Sequence, residues 1–277
     1  MAFGVFGAFW GGWAAVLPEI KDSVAASDAT FGFALLGIGM GALPAMLLMG
    51  PVYDRYGERT AAPLLILILF AISTVLPGVT SSVPGLFATL LLLGALSGML
   101  DISINAASTD WEAATGRRLM NLAHATFSGL FLVSSISVGL ARRAGTGRLA
   151  VLLGLALIVA LAVPLNRSSG TIERRREERL RLRFEPIYLM LGALCGLGFV
   201  IEGGLESWSA VHLERTLGAG PAIGGLGPGL FAAAMLSGRT LAHFVGGRLG
   251  DRRLLAAGAS IGAGGLLLAA SAPTIPW

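Results

Sequence analysis

Charged residues arrive in this sequence at intervals of about twenty mostly apolar positions, and that spacing limits the possible folds more than anything else in the chain. A helix crossing the hydrocarbon of a bilayer needs about 20 predominantly apolar residues. Between Arg59 and Asp101 there is no charged residue at all. That run is too long for one crossing, and Pro77-Gly78 and Pro84-Gly85 divide it in two. Read in the same way throughout, the sequence predicts nine spans. The first covers about 3–18 and the second about 31–50, and the divided run supplies the third and the fourth, the latter at about 85–107. The remaining five lie at about 121–141, 149–165, 186–205, 222–245 and 254–272.

Composition excludes a large soluble core. Only 13% of the 277 residues are charged, where a soluble domain carries about 25%. The 40 glycines lie within apolar runs, without a collagen-like period, as suits close helix packing in lipid. The net charge of +4 is carried by arginines between spans, with no aromatic-basic face, so no nucleic-acid partner is expected. Cys195 is the single cysteine, which excludes an intrachain disulfide and a cysteine metal site. No basic residue precedes Lys21, and Pro18-Glu19-Ile20 is no cleavage site, so residues 3–18 read as a span and not a signal peptide.

Gly37-x-Gly39-x-Gly41 and Gly225-x-Gly227-x-Gly229 lie inside apolar spans with no preceding strand, and therefore read as packing faces and not nucleotide loops. There is no phosphate-binding Gly-Lys-Ser/Thr and no His-Glu-x-x-His, so neither an enzyme nor a cofactor is expected. Placing the N-terminus in the cytoplasm puts Arg55, Arg59, Arg117, Arg118, the cluster from Arg167 to Arg183, Arg248, Arg252 and Arg253 inside. Lys21, Arg142, Arg143, Arg148 and Arg215 then fall in outside loops, the one after span five being a local exception to the rule.

Two stretches repeat. Gly50-Pro51-Val52-Tyr53-Asp54-Arg55-Tyr56-Gly57-Glu58-Arg59 reads as a charged turn, and Gly246-Gly247-Arg248-Leu249-Gly250-Asp251-Arg252-Arg253 is a second version of it. The run Trp13-Ala14-Ala15-Val16-Leu17-Pro18-Glu19-Ile20 likewise resembles Trp208-Ser209-Ala210-Val211-His212-Leu213-Glu214-Arg215. The offsets, about 195 for the tryptophans and about 197 for Asp54 and Asp251, agree closely, as parallel repeats of a membrane transporter would.

The turn resembles the Gly-x-x-x-Asp-Arg-x-Gly-Arg-Arg loop between helices two and three of the major facilitator superfamily. Gly50, Asp54, Arg55, Gly57 and Arg59 match it, and Glu58 departs from it. The resemblance implies an all-α membrane protein with a six-helix N-terminal half (1–166), a basic cytoplasmic linker (167–185) and three helices of a C-terminal half (186–277). It also implies that the two turns are conformational latches, the second built on Gly247, Asp251 and Arg252. In the family the first latch meets helix eleven and the second meets the inner end of helix five, near Asn121 here. Three helices of a complete second half are then expected beyond Trp277, among them helix ten, which lines the family's cavity. The expectation is a monomer, or a chain paired with that segment.

Asp101 lies four residues before Asn105, on one face of an otherwise apolar span. A carboxylate there costs a few kcal/mol unless it meets water or a partner. With Leu119-Met120-Asn121-Leu122-Ala123-His124, this context resembles helices four and five of the fucose–proton symporter branch, where an acid in helix four couples protons. By that resemblance Asp101 is the proton site and Asn105 a cavity residue. Glu202 and Glu206 share a face of span seven, and Trp10, Trp13 and His124 complete the candidate solute path. The expected function is movement of a small polar solute, sugar-like or another metabolite, across the plasma membrane by alternating access, with protons the candidate coupling ion. A non-transporting fragment, or a receptor or scaffold on the same fold, is the open alternative.

Overall fold

The computed structural model describes residues 2–56, 62–116, 120–162 and 185–271. All regular elements among them are helical: α1 (Ala2–Ser23), α2 (Asp28–Tyr56), α3 (Ala62–Ser73), α4 (Leu76–Val79), α5 (Val83–Thr115), α6 (Met120–Arg143), α7 (Arg148–Ala162), α8 (Pro186–Val211), α9 (Pro221–Leu249) and α10 (Asp251–Ser271). A π-helical turn, His212–Thr216, prolongs α8, and the Leu217 N–H donates to the His212 carbonyl five residues back. Seven helices among the described residues are long and apolar enough to cross a bilayer, and Ile66–Val79 and Arg148–Ala162 add two shorter apolar segments. These nine segments follow the order that the charge spacing predicts.

The helices overrun the predicted spans at their charged ends. α1 passes through Pro18 to Ser23, and α5 takes in Asp110 and Glu112, which the sequence had suggested were loop. α2 continues through Gly50 to Tyr56, and α9 through Gly246 to Leu249, so most of each supposed turn is helix. In the second copy the chain breaks at Gly250, whose φ of +73° suits a residue without a Cβ, before Asp251 opens α10. Charge marks where lipid ends, whereas a helix continues for as long as its backbone hydrogen bonds do. Only the division between the third and fourth spans was placed correctly from breakers. There Ser82 caps α5 by accepting from the Gly85 N–H, with Pro84 in the first turn.

α1 is the hub. Phe3, Phe6, Phe9, Trp13, Val16, Leu17 and Ile20 are all buried in the core, and the helix packs on α6, α7, α8 and α9. Three helix pairs close on glycine. A Cβ on Gly7 or Gly11 of α1 would sit 2.1 Å from the carbonyl oxygen of Phe127 or Phe131 in α6. On Gly41 of α2 it would lie 2.0 Å from the Leu91 oxygen of α5, and on Gly225 of α9 it would lie 2.7 Å from the Ser135 oxygen of α6. Without a hydrophobic force between helices in lipid, such small-residue contacts supply the packing. Away from α5, α2 exposes Leu36, Met40, Leu43, Leu47 and Leu48, a face fit for acyl chains.

Candidate functional site

Polar side chains from three helices meet inside the apolar bundle. Glu202 and Glu206 are four residues apart on α8 and act on each other as like charges. Arg239 of α9 places Nη2 3.9 Å from Glu202 Oε1, and its Nη1 donates to Ser128 Oγ of α6 at 3.0 Å. One turn earlier on α6, His124 lies within the field of Arg239 and sets its ring edge-to-face against Phe3 of α1, with centroids 5.0 Å apart. Arg239 lies near the end of the apolar span Pro221–Leu241, where a guanidinium costs less than at a span's centre (about 2.5–3.5 kcal/mol) but still favours a partner or water. Arg239 is partnered, and its side chain is still 37% exposed. Two carboxyls, one guanidinium, an imidazole and a hydroxyl can hold a polar solute and can exchange a proton.

Asp101 and Asn105 share a face of α5 and are joined there. Asn105 Nδ2 donates to the Asp101 carbonyl at 2.9 Å and to Asp101 Oδ1 at 3.0 Å. Both residues are half-buried. Among the described residues, no hydrogen bond or ion pair links them to the group around Arg239. Trp10 is half-buried, edge-to-face with Phe9 and Phe6. Trp13 is in the core, only 2% exposed, stacked near Phe9, and its Nε1 has no acceptor among the described residues. No group of three His, Cys, Asp or Glu among the described residues is placed to hold a metal ion.

Of the latch positions, Gly50, Asp54 and Arg55 lie in the last turns of α2, Gly247 lies near the end of α9, and Asp251 begins α10. Arg252 is exposed on α10. The side chains of Asp54, Arg55, Asp251, Asn121 and His243, together with Gly57, Arg59 and the linker 167–184, lie outside what is described.

At the end of the bundle where α1 stops and α2 begins, the structure assembles a charge cluster that sequence reasoning missed. Arg142, expected in an outside loop, is a buried residue in the last turn of α6, with its side chain 1% exposed. Its Nε donates to Glu19 Oε1 of α1 at 2.7 Å, and Nη2 donates to Glu214 Oε2 at 3.0 Å. Nη1 donates to Glu214 Oε1 and to the Ala15 carbonyl, each at 2.6 Å. Arg215, also expected in a loop, pairs with Asp22 and contacts Glu214 at 3.3 Å. The signal was present in the repeat, because aligning Trp13 with Trp208 places Glu19 on Glu214.

A bundle of apolar helices with ionisable groups at its centre and a charge cluster at one end has the form of a membrane transporter. The sequence pattern described as Major Facilitator Superfamily matches residues 1–277, and the chain belongs to that family. An uncharacterized MFS-type transporter of Yersinia pestis is 30% identical over 275 residues, covering 98% of this chain and 71% of its own length. The membrane protein MosC of Rhizobium meliloti is 26% identical over 271 residues, covering 95% of this chain and 64% of its own. An uncharacterized transporter of Sinorhizobium fredii, y4wD, is 27% identical over 283 residues, covering 98% and 72%.

Proposed function

We propose that this transporter moves a small polar, sugar-like solute by alternating access, with the N-terminus in the cytoplasm of a plasma (inner) membrane and transport coupled to protons. In this reading Asp101, Asn105, Glu202, Glu206, Trp10, Trp13 and His124 line the solute path, and Asp101 carries the proton. Residues 1–166 form one half of the carrier and 186–277 belong to the other, joined by the linker 167–185. Gly50, Asp54, Arg55, Gly57 and Arg59, with Gly247, Asp251 and Arg252, latch the cytoplasmic side. The likeness of the Asp101 and His124 segments to the fucose–proton symporter branch motivates the choice of solute and ion.

The observation that carries the reading is Arg239 between Glu202 and Ser128, a costly charge kept within an apolar bundle and shared by α6, α8 and α9. The test is uptake of labelled monosaccharides and polyols into vesicles carrying the protein, with and without an imposed pH gradient. Uptake should follow the gradient and lose that dependence in Asp101→Asn. Gradient-driven uptake that Asp101→Asn leaves unchanged removes Asp101 as the proton carrier.

A second reading has one observation in its favour. Residues 186–201 of α8 are exposed on every side apart from Cys195, whose side chain lies outside what is described, and α10 touches little besides α9. In that reading the chain transports only when further helices pack on α8 and α10. Uptake by vesicles carrying residues 1–277 alone counts against it.

A further inference from the structure

We propose that Arg142 is the bolt of the extracytoplasmic gate, held shut by the same position of the internal repeat acting from each half. The inference rests on the alternating-access reading above. Glu19 lies in α1, beside Arg142 in its own half, whereas Glu214 comes from the π-helical turn after α8, in the other half. The two glutamates occupy equivalent places in the repeats headed by Trp13 and Trp208.

The closure at this end also has an apolar part, where Phe31 of α2 meets Trp208 of α8 edge-to-face with centroids 5.9 Å apart. α6 and α9 meet through Gly139 and Gly225, with Ser135 Oγ donating to the Gly225 carbonyl at 2.7 Å, and no large side chain interlocks at that crossing. Among the described residues the Arg142–Glu214 pair is the buried ionic contact between the halves here, with Arg215–Asp22 outside it.

The charges are arranged so that the pair can part. If the halves separate, Arg142 keeps Glu19 at 2.7 Å, and Glu214 keeps Arg215 at 3.3 Å. Each half leaves with its own neutral pair, so opening strands none of these buried charges. Stranding one is what makes a broken buried ion pair so unfavourable. Lys21 remains with Asp28 and takes no part. An ion pair that served only to hold the fold together would have no need of a second partner waiting on each side.

The gate is read by labelling, without reference to any solute. In a Cys195→Ser background, Ser135→Cys places a thiol at a fully buried position in the α6–α9 seam and keeps a weak donor toward Gly225. A membrane-impermeant maleimide is added from the extracytoplasmic side of the full chain in native membranes. Arg142→Met and Glu214→Gln should each raise the labelling rate about tenfold or more, because both remove the cross-half pair. Arg142→Lys should restore slow labelling in part. Glu19→Gln, which removes only a bond within one half, should label nearly as slowly as the parent.

If Arg142→Met does not accumulate as folded protein, Glu214→Gln carries the test, since it keeps the side chain's shape. Unchanged labelling in folded Glu214→Gln overturns the bolt, and equal acceleration by Glu19→Gln and Glu214→Gln overturns the partition of charges. Bolt-dependent labelling without any solute flux would sink the transport reading and leave the gate standing. Flux with bolt-independent labelling does the reverse.

Discussion

Glycine does opposite things in the two parts of this molecule. From α1 to α6 it lets backbones touch: a Cβ on Gly7, Gly11, Gly41 or Gly94 would come within 2.0–2.1 Å of a neighbouring carbonyl oxygen. In α8 and α10, at Gly192, Gly196, Gly198, Gly203, Gly204, Gly258, Gly262, Gly264 and Gly265, an added Cβ meets nothing within 4 Å. The residue is frequent in both regions, but among the described residues only the first has the neighbour that requires it. Since glycine costs about 0.8–1.0 kcal/mol against alanine inside a helix, the second set costs helix stability without any packing return among the described residues. The difference teaches that a small-residue pattern identifies a surface made for a helix and is silent about which helix fills it.

That contrast can be broken by substitution. Gly41→Val, which forces a side chain into the Leu91 carbonyl, should destabilise the α2–α5 pair by roughly 3 kcal/mol and cut the yield of folded protein sharply. Thermal melting in detergent measures it, and a wild-type Tm would mean that α2 can slide without cost. A smaller effect separates the two charged motifs. Asp251→Ala should lower Tm more than Asp54→Ala, because the family resemblance implies that the second latch meets the inner end of helix five, near Asn121 at the start of α6. Equal shifts would refute that assignment. At the bottom of the scale, Gly262→Ala should leave Tm unchanged or raise it slightly, within about 1 kcal/mol. A clear loss there would show that α10 has a close neighbour after all.

How much of this could be read beforehand depended on distance along the chain. The spans were legible because each is a local property of about twenty residues. Their ends were not, since Asp110 looks the same in a sequence whether it begins a loop or rides on another turn of helix. The shared face of Glu202 and Glu206, and that of Asp101 and Asn105, followed from helical spacing alone. Arg142 did not. An arginine at the end of a span is ordinarily solvated, and what buries this one is Glu214, 72 residues away. Nothing local in the sequence points Arg239 to Ser128, 111 residues earlier. Only the repeat carried long-range information, and it had already paired the two glutamates.

The π-helical turn at His212–Thr216 changes what kind of mutation this protein should tolerate least. One residue added to or removed from an α-helix rotates everything beyond it by about 100°. Here a wider turn lets Glu214 face inward, 1% exposed at its side chain, while Arg215 beside it stays 34% exposed and reaches Asp22. Losing one residue from this turn would tighten it to ordinary helix and swing the two charges together out of register with α1 and α6. Over evolutionary time the segment should therefore accept changes of letter at His212, Leu213 and Thr216 far more readily than changes of length.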